Sequence, residues 1–354
     1  MSALAIADEL DRLGASTGLS IQPDEAILYL STLAKTLDAT VELWAKTISA
    51  PDFTEADVAR VHGDHLTALK LRPDRPREVA GIVLDNALYG RATPYGHPAA
   101  GYLEDLEKLG VKDVRAFHDE RWQPFRMTLV VAGDVDISAL ETKLEATLGA
   151  WEPYASKLNS PPKVTVMPIK SRLLLVDRPA AEQSDVRIGT TAIPRTDPRY
   201  YALEVTNNIL GGGFASRLMQ RLREQLGYTY GVGANSSYGH RTGQVTISSA
   251  FFTPKTVEAL KEFQRLVGEM AKDDVPVEEL EKAKQNLIRA LPQAFETSEG
   301  VARAYAELAI FGLPDAWYDG YAKKIGKVMA KDVRRTAQRL LALKRLIYVV
   351  VGDL

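Results

Sequence analysis

The sequence contains no cysteine, so it can form neither a disulfide bond nor a thiolate metal site. It also has no apolar run long enough to span a bilayer, and its 44 basic and 46 acidic residues nearly cancel. A net charge of −2 argues against nucleic acid or an anionic membrane as the main partner, and no membrane insertion is expected. The first residues form an acidic helical pattern, unlike a signal peptide. We expect a soluble protein of the cytoplasm or the periplasm, two compartments between which the sequence does not choose.

An internal repeat predicts the architecture. The stretch VKDVRAFHDERWQPFRMTLVVAGD at 111–134 aligns without a gap to AKDVRRTAQRLLALKRLIYVVVGD at 330–353. We therefore predict an α+β fold built by tandem duplication of two similar units, each a mainly antiparallel sheet with helices on one face. The first half-domain is expected at 1–151 and the second at 172–354. A proline-spaced segment, 152–171, is expected to be an extended linker between them.

The repeat also predicts that the first unit is incomplete. Residues 173–213, which read as two strands and a helix, have no counterpart in the first half because Met1 aligns near Phe214. Either the sequence is a fragment of a longer protein, which we favour, or another chain completes the sheet. An open sheet edge would then expose apolar surface and favour self-association or a partner chain.

The local patterns of both halves predict individual elements. In the first half we expect a strand at 126–132, and Asp197 is expected to cap a helix in the second. The strands expected in the second half are 173–177, 186–193, 228–234, 244–252 and 346–351.

The most informative stretch is GGGFASRLMQRLREQLGYTYGVGA, at 211–234. Leucines recur there at helical spacing until Gly227, and an alternating strand pattern follows. A helix–strand corner would bring Arg223 and Tyr230 together, and a guanidinium with a phenol makes a suitable clamp for a peptide carbonyl. The alternative is that Tyr228 and Tyr230 pack in a core while Arg223 is a solvated helix charge.

The extended stretch ILGGGFASRLMQRLREQLGYTYGV, with VDRPAAEQSDVRIG at 176–189, resembles the second half-domain of the pitrilysin/insulysin family. These inverzincin metallopeptidases are related to the mitochondrial processing peptidase and to the core proteins of the respiratory cytochrome complex. The resemblance covers essentially the whole chain and implies a clamshell half. It also implies that Arg223 and Tyr230, which match a family pair, bind substrate near the scissile bond.

The same resemblance implies that this chain lacks its own zinc site. Catalytic relatives carry HxxEH on a first-half helix, with two histidines on zinc and a glutamate that activates water. No HxxEH occurs in this sequence. The family's third ligand, a glutamate, aligns with Ala68, and its usual carboxylate partner aligns with Val61. We therefore expect no catalytic residue and no metal in this chain, with zinc held by a partner subunit.

Other candidate sites are weaker. His62 and His65 lie three apart on a predicted helix, but two histidines fall short of the three protein ligands of a catalytic zinc. His97 matches a family loop, and His118 and His240 have no sequence partner. The glycine triplet at 211–213 lacks a phosphate-loop frame and indicates a close passage of two elements. The segment KLRPDRPRE at 70–78 is interpreted as a solvated loop.

These observations predict an insulinase-type peptidase-family protein without its own zinc, which is inactive alone. It would be the peptide-binding subunit of a two-chain metalloendopeptidase, beside a homologous HxxEH chain that carries zinc. The alternative is a purely structural subunit that resembles the respiratory core proteins. That Arg223 and Tyr230 are both present favours peptide binding.

Overall fold

The structure is a computed structural model that describes residues 1–153 and 170–354. The predicted linker at 152–171 lies, apart from its ends, outside the described residues. The chain forms two compact units. Unit 1 consists of Met1–Leu71, Ala99–Pro162 and Ala294–Ile310, and unit 2 consists of Arg72–Pro98, Lys163–Gln293 and Phe311–Leu354.

The elements are numbered in chain order. The α-helices are α1 (Ala3–Arg12), α2 (Leu37–Ser49), α3 (Glu55–Lys70), α4 (Pro76–Tyr89), α5 (Leu103–Leu106), α6 (Val111–Arg121), α7 (Ile137–Leu148), α8 (Tyr200–Gly211), α9 (Thr256–Lys272), α10 (Val277–Ala290), α11 (Ser298–Phe311), α12 (Tyr321–Gly326) and α13 (Ala330–Leu340). The strands are β1 (Ser16–Gln22), β2 (Glu25–Ser31), β3 (Arg172–Asp177), β4 (Gln183–Ala192), β5 (Thr229–Tyr238), β6 (Gly243–Phe252) and β7 (Ile347–Gly352). A π-helix spans Met219–Gln225.

Unit 1 is mainly helical. Its β-structure among the described residues is the antiparallel hairpin of β1 and β2, in which Ser16 pairs with Ser31 and Gln22 with Glu25. Helix α2 packs against α7, and α3 contacts α5 and α6. The buried apolar side chains of α2 are Val41, Ala45 and Ile48.

The strand expected at 126–132 is wrong, because Arg126 ends a 3-10 turn and residues 127–132 form no strand. Its repeat counterpart, β7, is a central strand that pairs with both β3 and β4 in unit 2. In the described part of unit 1 the segment has no strand partner, and a β-pattern alone does not make a strand. Alternate side chains are consequently left 39–48% exposed, namely Met127, Leu129 and Val131.

Unit 2 is built on a five-stranded sheet in the order β3-β7-β4-β6-β5. Strands β3 and β7 are parallel, whereas the β7–β4, β4–β6 and β6–β5 pairs are antiparallel. The mainly antiparallel α+β class predicted for the chain is confirmed. The predicted strands of this half are present, with ends shifted by up to four residues.

The two faces of this sheet are covered differently. Helices α8, α9 and α13 contact β5, β6 and β4, and they bury the side chains of Val186 and Ile188. Helix α4 covers β7 and β4 on the other face, where Leu84 and Leu88 pack with Ile347, Val349 and Val351. A segment from the first half of the sequence therefore belongs to the compact unit of the second half.

Helix starts follow local hydrogen bonding. At the beginning of α6 and α13, which are equivalent in the repeat, Asp113 and Asp332 accept hydrogen bonds from the backbone N–H of Gly110 and Met329 at 2.8 and 3.0 Å. Asp197 does not cap α8 as expected. Its carboxylate accepts from the Arg199 N–H at 2.8 Å, and α8 begins only at Tyr200.

No helix in the described ranges has the length and apolarity required to cross a membrane.

Candidate functional site

The predicted helix–strand corner is present in unit 2, and its helical part is the π-helix Met219–Gln225. The Leu226 N–H donates to the carbonyl of Arg221, five residues back, at 3.1 Å. Gly227 has φ +63° and ends the helix, since that conformation is costly for other residues. Its N–H donates to the Arg223 carbonyl at 3.1 Å. Isolated π-helical turns are rare and often occur at functional sites.

A close contact between α8 and β5 positions the segment before this corner. A side chain at Gly211 would place its Cβ 2.6 Å from the backbone nitrogen of Ala234 and 2.7 Å from the Ala234 Cβ. Such distances are too short for carbon in a packed interior. Only glycine permits α8 and β5 to approach this closely, in agreement with the close passage expected from the glycine triplet.

Two ion pairs hold the π-helix segment against neighbouring helices. The Arg217 guanidinium donates two hydrogen bonds to Glu279 of α10, at 2.7 and 2.6 Å. Arg221 donates to Glu262 of α9 at 2.8 Å. Hydrogen bonds from Arg221 and Arg265 lower the pKa of Glu262 to about 2. The carboxylate form is therefore favoured, and the segment that carries Arg223 is fixed at two points.

The Arg223 side chain is available at the surface. It is 37% exposed, and its Nη1 donates to the neighbouring Glu224 carboxylate at 2.9 Å. Its Cζ lies 5.3 Å from the ring centre of Phe214, which is itself 70% exposed. Nη2 and Nε donate to no other described residue, so the guanidinium keeps N–H groups for a ligand.

Tyr230 is displayed by a β-bulge. Strand β5 pairs Thr229 with Phe251 and Val232 with Ser249, so two residues of β5 oppose one of β6. The Thr229 hydroxyl holds the bulge, because it donates to the Ala250 carbonyl at 2.7 Å and accepts from the Gly231 N–H at 3.0 Å. Tyr230 is 78% exposed, with its ring edge-to-face against Phe252 at 5.7 Å. The alternative that Tyr230 packs in a core is therefore wrong.

Beside the bulge is a cleft of about 220 Å³ within unit 2. Its charged lining residues are Asp185 and Arg187 of β4 and Arg77 of α4. Small residues line it from the adjoining strands, among them Gly231, Ser248 and Ala250, and the half-buried Arg187 side chain borders the open space that they leave. Tyr230 lines the same cleft.

In the described ranges, no group of three or more His, Asp or Glu side chains is arranged to hold a metal ion. His62 Nε2 lies 2.8 Å from the Leu106 carbonyl, to which it donates, so that nitrogen is occupied. The Ala68 side chain, which the sequence resemblance aligns with the family's third ligand, is half-buried in α3.

Sequence reasoning did not identify Arg187 and Arg77 as candidates. Residues 70–78 are largely exposed, as expected, but they are not all loop, because α4 begins at Pro76 and places Arg77 in the cleft wall. The available signal was the pair Asp185 and Arg187, two charges that alternate with the buried apolar residues Val186 and Ile188. Such charges on a sheet face need a ligand, a partner or solvent.

Comparison with known proteins finds relatives that are named zinc proteases. Relatives at 25% and 24% identity are uncharacterized zinc proteases of Mycobacterium leprae and Bacillus subtilis, aligned over 81% and 84% of this chain. The chain spans 64% and 71% of the lengths of these two relatives.

Solved structures show the same fold. A peptidase M16 inactive domain from Pseudomonas fluorescens has a TM-score of 0.85 at 23% identity, covering all of this chain and 84% of that one. A protease from Helicobacter pylori has a TM-score of 0.93 at 18% identity, covering all of this chain and 85% of that one. The peptidase M16 inactive domain also matches residues 108–287 in sequence, more than half of the chain. The chain therefore belongs to the peptidase M16 family, as its resemblance to pitrilysin and insulysin predicted.

Proposed function

We propose that this protein is a peptide-binding member of the peptidase M16 family that supplies Arg223 and Tyr230 to a substrate cleaved at a partner's zinc. The single observation that carries the proposal is the display of Tyr230, whose ring is 78% exposed on a bulge next to an open cleft. A large aromatic ring held out by a bulge contributes little to a core, and bulges often aim side chains at ligands.

The hydrolytic water would be activated by the partner, a homologous chain with HxxEH, because this sequence has no such motif and has Ala68 at the third-ligand position. The role of this chain is to bind and orient. The Tyr230 hydroxyl and the Arg223 guanidinium would donate hydrogen bonds to the peptide backbone near the developing oxyanion. Each such donor is worth roughly 3 kcal/mol in the transition state.

Strand β5 offers a surface for an extended substrate. It is an edge strand of the unit 2 sheet. Beyond the bulge, the polar residues Asn235 and Ser237 are exposed. A peptide that adds to this edge would bind mainly through backbone hydrogen bonds, which select for extended conformation more than for sequence.

The test compares single-group deletions in the presence of an HxxEH-carrying M16 chain from the same organism. Tyr230→Phe and Arg223→Ala should each lower peptide turnover roughly ten- to a thousandfold. The thermal midpoint should hardly move, because surface substitutions change stability by about 0.5 kcal/mol or less. Tyr228→Phe is a matched control, since it removes the same hydroxyl two residues earlier, and it should keep full turnover.

A purely structural subunit gives the opposite result. The midpoint of the Tyr230 or Arg223 variants would fall while turnover stayed unchanged. Full activity of both variants at normal stability would also contradict the proposal.

A further inference from the structure

The cleft beside Tyr230 holds a guanidinium whose charge is not neutralised by a direct partner. Arg187 is half-buried in the wall formed by β4, and its side chain makes no hydrogen bond and no ion pair within 4.0 Å to any described residue. Burial lowers the pKa of Arg187, and the nearby Arg77 charge lowers it further, against the opposing charges of Asp185 and Asp85. An arginine is nonetheless always protonated in proteins, so this positive charge is held in the cleft at a cost.

The charges around Arg187 sum in favour of an anion. The cleft wall contains two guanidiniums, Arg187 and Arg77, against one carboxylate, that of Asp185. Burial raises the pKa of Asp185 from its ordinary value, which shows that the nearby arginines do not fully compensate its desolvation. Two further charges lie nearby. Asp85 accepts from the Gln244 amide at 3.0 Å, and Arg178 donates to the Pro73 carbonyl at 3.2 Å.

The dimensions and position of the cleft fit a group carried by a peptide. A volume of about 220 Å³ accommodates one side chain or a chain end, and its wall includes both the bulge and Tyr230. A substrate held by Tyr230 would therefore place a neighbouring group in the cleft. The donors that this group meets are the planar N–H fork of Arg187, the exposed guanidinium of Arg77 and the hydroxyl of Ser248.

We propose that this cleft binds a carboxylate of the bound peptide, either an acidic side chain or the C-terminal carboxylate, through Arg187 and Arg77. The inference rests on the proposed function, because it takes Tyr230 as a contact of the same peptide. It assigns this chain a preference for substrates with an anionic group close to the position that contacts Tyr230. Arginine is suited to this role because its fork matches the two carboxylate oxygens.

The experiment measures binding of four fluorescent peptides to the full chain by anisotropy. The peptides share an otherwise neutral sequence, carry Glu or Gln at the centre, and end in a free carboxylate or an amide. The acidic-side-chain pair and the chain-end pair distinguish the two sources of the carboxylate. We expect at least one carboxylate-bearing peptide to bind about tenfold more tightly than the fully neutral peptide, the range for a charge-assisted hydrogen bond.

Variants then assign the preference to the cleft. Arg187→Gln and Arg77→Gln should each reduce the ratio of affinities for charged and neutral peptides towards one. Because Arg77 is exposed, its variant tests the proposal even where the Arg187 variant folds poorly. Arg289→Gln, an exposed arginine of α10 outside the cleft lining, should retain the wild-type ratio.

The outcomes separate this inference from the proposed function. Tyr230→Phe should weaken all four peptides alike, whatever their charge. If wild-type chain binds all four equally, or if both cleft variants keep the preference, the carboxylate site is refuted while peptide binding stands. If none of the four peptides binds, both proposals are refuted.

Discussion

Single residues decide how the candidate site is presented. The exposure of Tyr230 depends on Thr229, whose hydroxyl bonds to Ala250 on the facing strand and to Gly231 across the bulge. A regular strand would alternate its side chains between the two sheet faces, whereas the bulge interrupts this alternation at Tyr230. Thr229 itself is buried although it is polar, because its hydroxyl is satisfied by these bonds. The Thr229 hydroxyl thus positions Tyr230, whose exposed ring contributes little to the stability of the fold.

Gly211 permits a test at this scale. Gly211→Ala would place a Cβ 2.6 Å from the Ala234 backbone, which cannot move without shifting α8 from β5. We expect the free energy of unfolding to fall by about 1–3 kcal/mol, the usual cost of overpacking. Gly213→Ala is the matched control, since a Cβ there meets no atom within 4 Å. Urea unfolding of both variants measures the difference, and equal stability would contradict the close packing of α8 on β5.

At the scale of elements, the local periodicity of the sequence predicted the strands of the second half well, but it did not predict which segments pair with one another. Strand β6 was predicted within one residue, since Val245, Ile247 and Phe251 recur at the spacing of alternate strand positions. The segment at 126–132 aligns with β7 in the internal repeat, yet only β7 has strands on both sides. Strand formation depends on partners distant in the chain, which a local pattern does not contain. The α+β class could be inferred because helical and strand patterns are local. The absence of this strand could not be inferred, because it depends on pairing between distant segments.

The candidate site shows the same limit. Arg223 and Tyr230 were found because they lie seven residues apart in one recognisable stretch. The ion pairs that fix this stretch join residues 41 and 62 positions apart, Arg221 with Glu262 and Arg217 with Glu279. Arg77 and Arg187, which share the cleft, come from different halves of the sequence. Packing of α4 on the second-half sheet brings them together, and no local signal predicts that packing.

The Arg221–Glu262 pair predicts a pH dependence at the element scale. The pKa of Glu262 is about 2 in the folded protein and ordinarily 4.5, so its contribution to stability is complete above pH 4.5 and is lost as the pH falls towards 2. Glu262→Gln should therefore lower the free energy of unfolding by about 1–2 kcal/mol at pH 7. The deficit should shrink progressively between pH 4.5 and pH 3.

Urea unfolding at pH 7, 5, 4 and 3 measures this deficit. Glu258→Gln, an exposed carboxylate in the first turn of the same helix, serves as the control and should show little change at any of these pH values. A deficit for Glu262→Gln that stays constant with pH would mean that packing, and not the ion pair, holds the π-helix to α9.

At the scale of the whole molecule, the two compact units carry different structure. Unit 2 contains the five-stranded sheet, the π-helix corner and the cleft beside Tyr230. Among the described residues, unit 1 consists of helices and a single β-hairpin. Some of its large apolar side chains, such as those of Phe117 and Phe125, are more than half exposed. Arg223, Tyr230 and the cleft beside Tyr230 all belong to unit 2. The printed sequence of both units contains no HxxEH motif.

The last prediction concerns zinc in the purified chain. The sequence has no HxxEH, the family resemblance aligns Ala68 with the third ligand, and His62 Nε2 is bonded to the Leu106 carbonyl. We therefore expect less than about 0.1 zinc per chain after dialysis. Peptide cleavage by the chain alone should accordingly be undetectable, although peptide binding persists. Elemental analysis and a peptide cleavage assay on the same preparation measure both quantities.

About one zinc per chain, lost in a His62→Ala, His65→Ala double variant, would show that α3 holds a metal and would contradict the assignment of zinc to a partner. Retention of zinc by that double variant would contradict it equally, since the ligands would then lie elsewhere in this chain.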